Sequence, residues 1–263
     1  MSYSPEFPFH VDVFRASRYD AQMAKAPHTS TFHQRWTAFF STPARNTVLR
    51  YAIFAVAVYL LAFSIALART AQLGTSPIAA LPNVCSYVFA PITIGQFQIL
   101  MNLLMVLGQI ALNHSFRRPV EFFQMFMAIA LGLLVDLNVF LLQGLPIGGY
   151  AGAWAWTLLS IVLLALGVSL ELLADAIMMP GEGIVLSITL TTKKPFHRCK
   201  VAFDVGCIVA AALLSLVALG GLVGVREGTV ATAILTGPIV KVINRLLKPL
   251  HAWIPAKPEQ SAR

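Results

Sequence analysis

The stretch Leu173-Ala174-Asp175-Ala176-Ile177-Met178-Met179-Pro180-Gly181-Glu182-Gly183-Ile184, running on to Leu190, decides how this chain is built. An apolar block ends at Asp175, a Pro-Gly-Glu-Gly cluster that breaks helices follows, and residues 184–190 alone stay apolar before Lys193 and Lys194. At about 1.5 Å per residue such a piece cannot cross a bilayer. Residues 77–89 form a second piece of this kind, preceded by Gly74-Thr75-Ser76-Pro77. Both read as re-entrant or broken helices set among longer ones.

The rest of the chain has the composition of a membrane protein. Hydrophobic residues make up 57% of its 263 residues, charged residues 11%, and the mean hydropathy is +0.75, which excludes a soluble globular enzyme. Outside the two short pieces, apolar blocks close to the roughly 20 residues of a membrane-crossing helix lie at a first span ending at Leu67 and at 94–112, 119–142, 153–175, 200–223 and 227–247. The expected fold is an all-α polytopic membrane protein with six transmembrane helices and two short re-entrant helices.

Charge placement orients it. With both termini cytoplasmic, all of the 19 Lys and Arg except Arg69, Arg226 and Lys241 fall on the cytoplasmic side, as the positive-inside rule requires. Counting the short pieces as full spans would export Arg117 and Arg118. The net charge of +8 thus reflects orientation, and no nucleic-acid partner is expected. Residues 1–40 lack the apolar core and cleavage site of a signal peptide. Phe32, Trp36, Phe39 and Phe40, spaced by three and four, suggest a helix lying in the membrane interface. The expected location is the bacterial inner membrane, multi-pass, with the lipid bilayer as partner and homo-oligomerisation left open.

Displacing the sequence by 106 residues lays Leu67-Ala68-Arg69 and Gly74-Thr75-Ser76-Pro77-Ile78 over Leu173-Ala174-Asp175 and Pro180-Gly181-Glu182-Gly183-Ile184. Nearby displacements pair Gly132 with Gly237, Asp136 with Lys241, and Asn102 with Asp204. Each half reads as span, short helix, span, span. Three spans per half is odd, so the second half must be inverted. The domains are then a cytoplasmic tail with the interfacial segment (1–47), a first repeat (48–143), an extracytoplasmic loop (144–152), a second, inverted repeat (153–248) and a cytoplasmic tail (249–263).

Leu73-Gly74-Thr75-Ser76-Pro77, Thr93-Ile94-Gly95, Met179-Pro180-Gly181-Glu182-Gly183, Arg226-Glu227-Gly228-Thr229 and Gly237-Pro238 together resemble the motifs of the YczE/YitT-like family of bacterial integral membrane proteins over about residues 51–247. The resemblance implies an inner-membrane location and transfers no catalytic residue.

Inverted repeats with broken helices are a recurring plan of secondary transporters, with the substrate held where the repeats meet. The expected function is a small secondary transporter or permease for a small polar solute or ion; the alternative is a non-transporting accessory or regulatory membrane protein. A polar cavity between the halves is expected to be lined by Thr75, Ser76, Glu182, Asn102 and Asp204, with Gly74, Gly181 and Gly183 bending the backbone so that helix-start N–H groups face a ligand. Ionisable groups inside spans usually meet a partner, so Arg69 is expected to pair with Asp136, and Lys241 with Glu171 or Asp175. The histidines lie in tails and loops, Cys85, Cys199 and Cys207 lack ligand spacing, and no nucleotide-binding or hydrolase motif occurs. Neither a metal, a cofactor nor an enzymatic activity is therefore expected.

Overall fold

The computed structural model describes residues 44–113 and 119–248. Over these the chain is all helical: α1 Ala44–Ala71, α2 Pro77–Val88, α3 Ile94–Asn113, α4 Pro119–Leu141, α5 Gly149–Ala174, α6 Pro180–Thr192, α7 Phe196–Leu219 and α8 Glu227–Leu246. The protein is a polytopic α-helical membrane protein. The interfacial segment expected near Phe32, both tails and the Arg117-Arg118 turn lie outside the described residues.

The short pieces are helices as expected, and α6 is longer than its apolar run because Pro180 occupies the first turn, where a missing N–H costs nothing. Its 13 residues reach about 20 Å, still short of a hydrocarbon core of roughly 30 Å. Five helices, α1, α3, α4, α5 and α7, are long and apolar enough to cross a membrane. The sixth expected span, α8, is not among them, since its 20 residues include Thr229, Thr232, Thr236, Lys241, Asn244 and Arg245. The loop expected up to residue 152 is cut short by α5, which begins at Gly149.

Packing repeats between the halves. Helix α1 packs on α4 as α5 packs on α8, and α2 packs on α7 as α6 packs on α3, while α1 and α5 share the largest seam. That seam is antiparallel. Arg50, near the start of α1, donates from Nη1 to the carbonyl of Ala174 at the end of α5 (2.9 Å), and further along, Gly167 lies against Leu61 and the Ala57 carbonyl. By contrast, Gln109 meets the Pro180 carbonyl and Gly183, and Asn113 meets Ser187. An equal step along both chains shows α6 running parallel to α3. The main core gathers Phe54, Val58, Leu61 and Ile65 of α1 with Ala79, Ile94, Leu131, Val135 and Ala174.

Candidate functional site

The last turn of α1 carries Arg69, after which the chain must reverse toward α2. It does so through Gln72 (φ 60°) and Gly74 (φ 103°). Gly74 is required twice, for its backbone angle and because a Cβ there would overlap Thr229 Oγ1. The reversal is tied to the other half: Gly228 N–H donates to the Leu73 carbonyl (2.8 Å).

Arg69 turns onto α2. Its Nη1 donates to Asn83 Oδ1 (2.7 Å) and Ser86 Oγ (2.6 Å), and its guanidinium lies 4.6 Å from the centre of the Tyr87 ring, a cation–π contact. Asn83 in turn donates from Nδ2 to the carbonyl of Gly224 (3.0 Å) in the α7–α8 connection. From that connection Arg226 reaches back, with Nη1 3.4 Å from the Gln72 carbonyl and Nη2 3.2 Å from Glu227 Oε1. These groups line a half-open cavity of about 220 Å³ between the halves, with Leu222 and Val223 as its apolar wall. A second cavity, about 280 Å³, shares Arg69, Gln72 and Tyr87 and extends toward Leu142 and Ile147. Neither has a carboxylate in its wall. The arrangement is two fixed cations with amide and aromatic neighbours, suited to hold a small polar ligand.

The residues singled out from the sequence as the lining of one cavity do not line either of these cavities together. Gly74 lines the cavity. Thr75 is fully buried beside it, its Oγ1 with no hydrogen-bond partner, and the same holds for Thr229 Oγ1 and for Asn102 Nδ2. Ser76 caps α2 without a side-chain hydrogen bond. Gly181 and Gly183 serve close approach: the first meets Ile78 and Met105, the second Gln109. The first turns of α2 and α6 therefore touch, with an apolar cluster of Met105, Ile184, Val185 and Cys199 beside them. Glu182 is half-buried in the first turn of α6. Asp204 turns instead to Lys200 of its own helix (2.9 Å).

The expected intramembrane ion pairs are not formed. Asp136 accepts from Thr93 Oγ1 (2.5 Å) and the Gly95 N–H (2.8 Å), and it acts on Arg69 only as a neighbouring charge. A carboxylate is well satisfied by the exposed N–H groups and positive pole of a helix start, here that of α3. In the second half Asp175 lies 4.0 Å from Arg50, and Glu171 accepts the Met179 N–H (3.1 Å). Lys241 bridges neither. The arginine that meets a carboxylate across the halves is thus Arg50, which the sequence showed only as an inside charge.

Asn83, Ser86, Tyr87, Gln72 and Gly224 were not anticipated. Two signals pointed toward them: Arg69 and Arg226 are the two cations assigned to one side of the membrane, and Asn83 and Tyr87 are one turn apart on an otherwise apolar short helix. A buried polar row on α3, Gln98, Asn102 and Gln109, carried a similar signal. Among the described residues no group of three or more His, Cys, Asp or Glu is placed to hold a metal ion.

Residues 48–245 match the model of a family of unknown function, DUF6198, and the chain belongs to that family. No curated protein and no solved structure matches the chain.

Proposed function

We propose that this protein is a small secondary transporter or permease of the bacterial inner membrane, carrying a small polar solute or ion, with its site between two inverted repeats and both termini cytoplasmic. The observation that carries the reading is the polar cavity between the halves, walled by the two connections α1–α2 and α7–α8. The fully buried hydroxyls of Thr75 and Thr229 lie unpaired beside Gly74 of its wall. In a membrane-embedded body such groups call for water or a ligand, since lipid offers no partner. The likeness to YczE/YitT-like proteins belongs to the same reading.

A second reading, an accessory protein that docks on a membrane partner, draws on the outward apolar face of α7, where Val201, Val205, Val209, Leu213 and Val217 are exposed. Ligand-dependent thermal stabilisation of the purified protein over a panel of metabolites and ions, followed by uptake into proteoliposomes, separates the two. A transporter is stabilised by its solute and accumulates it. No stabilisation by any solute, together with no uptake, sinks the transport reading. Orientation is checked separately in intact cells: a Cys at Gly148 reacts with an impermeant thiol reagent, and one at Lys193 reacts only after permeabilisation. Labelling of position 193 from outside overturns the proposed topology.

A further inference from the structure

We propose that the cavity between Arg69 and Arg226 is a binding site for a small oxyanion, a carboxylate or a phosphate. The assignment deepens the transport reading by naming its substrate class, and rests on that reading for this step alone.

Two guanidinium groups line one cavity of about 220 Å³ that contains no carboxylate. Arg69 is placed rather than neutralised: its two hydrogen bonds go to neutral oxygens and both use Nη1. The Tyr87 ring beneath it provides a platform. Nη2 and Nε have no hydrogen-bond partner among the described residues, so an edge of the planar fork is available to a ligand. Such a fork matches the two oxygens of a carboxylate or phosphate. Arg226 is offset by Glu227 (3.2 Å) and Arg69 in part by the neighbouring charge of Asp136, but neither carboxylate lines the cavity, so the wall itself presents only positive charge. An anion bound between the two arginines would relieve their repulsion, while a cation would add to it.

The walls limit the ligand further. The cavity is below the roughly 300 Å³ at which pockets for drug-sized ligands begin, so it takes a short anion. Tyr87, Leu222 and Val223 give an apolar side that suits a brief carbon chain. Arg69 comes from the first half and Arg226 from the second, so one anion would bridge both. A phosphate of this kind has two sources, a soluble solute or a phospholipid headgroup.

The test uses the full chain in neutral detergent, with thermal unfolding followed in sodium succinate, in inorganic phosphate, in sodium chloride at matched ionic strength, and with short-chain phosphatidylglycerol. Succinate or phosphate should raise the unfolding temperature above the chloride control by several degrees. The apparent dissociation constant should rise about tenfold or more in Arg226→Gln and in Arg69→Lys, which keeps a charge but loses the fork. Arg245→Gln should leave it unchanged. If Arg69→Lys fails to fold, the exposed Arg226→Gln carries the test. No shift beyond chloride with any of the anions, or a shift of undiminished affinity in both variants, overturns the site. Stabilisation by phosphatidylglycerol alone, lost in the variants, keeps the oxyanion site and overturns its role for a soluble substrate. Binding without proteoliposome uptake leaves the site standing and removes the transport reading. Uptake that ignores both substitutions does the reverse.

Discussion

In the first half, α3 and α4 pack along a continuous seam; their counterparts in the second half, α7 and α8, have no packed seam. The other extensively packed helix pairs match when the halves are exchanged, so this difference is local. Gly95 and Gly132 allow the first seam to close, since a Cβ at either would overlap the backbone carbonyl of the other. The matching Gly237, and Gly206 on α7, face open space. Burial follows: 39% of the most apolar stretch of α3 is buried inside the protein, against 17% for α7.

Charge explains part of the difference. Asp136 of α4 reaches the start of α3 and accepts the Gly95 N–H, and a negative group is favoured at that end of a helix. Its counterpart is Lys241, which has no lone pair to offer to N–H groups. The first turns of α7 moreover hold His197, Arg198 and Lys200, which a further cation would meet with repulsion. One exchange of sign between repeats therefore removes the electrostatic clamp from the second half.

The largest effect is expected from closing the space that the first seam depends on. Gly95→Ala should destabilise the protein by about 3 kcal/mol, because the obstructing carbonyl of Gly132 cannot yield without separating the helices. Gly237→Ala should instead be neutral or stabilising by up to about 1 kcal/mol, the helix-propensity gain alone. Thermal unfolding in detergent measures both, and equal losses would show that the second half has a seam after all. Next comes the clamp. Asp136→Ala should cost about 2 kcal/mol through the lost charge-assisted bonds, and Lys241→Ala less than about 0.5 kcal/mol; comparable losses would refute the charge explanation. The smallest effect belongs to Asp204→Ala, expected within about 0.5 kcal/mol, as befits a pair one turn apart on a partly exposed helix face. By that measure Asp204 differs from its repeat partner Asn102, which is buried. A large loss at Asp204 would place it inside a working network.

The fold was legible where apolar length and helix breakers do the deciding. The interruption at Pro180 marks α6 because a residue without an N–H is accommodated at no cost in the first turn, and Pro77 marks α2 in the same way. The antiparallel placement of α1 and α5, seen through Arg50 and Ala174, is what an odd number of spans per half requires. Equating depth with contact failed for Arg69 and Asp136. They do lie near each other, but depth along a helix says nothing about which way a side chain turns, and neutral oxygens on α2 and N–H groups on α3 were nearer partners.

The candidate site was half legible. Gly74 and Thr75 were chosen from local breaks in helical pattern, and they stand at or beside the cavity. Asn83 and Tyr87 come from the middle and the last turn of a short helix, and Gly224 from a distant connection; no local pattern relates them to Arg69. Their meeting depends on how α2 packs across the halves onto α7.

From the sequence alone, then, come the membrane setting, the two interrupted helices and the order long, short, long, long in each half, because each follows from counting apolar residues and breakers along one chain. Only the tertiary structure decided that Arg69 and Arg226 share a cavity, that Asp136 clamps α3, and that α7 and α8 stay apart. Those outcomes depend on side-chain direction and on contacts between residues as far apart in the chain as Leu73 and Gly228, and such contacts are selected by packing and hydrogen bonding in three dimensions.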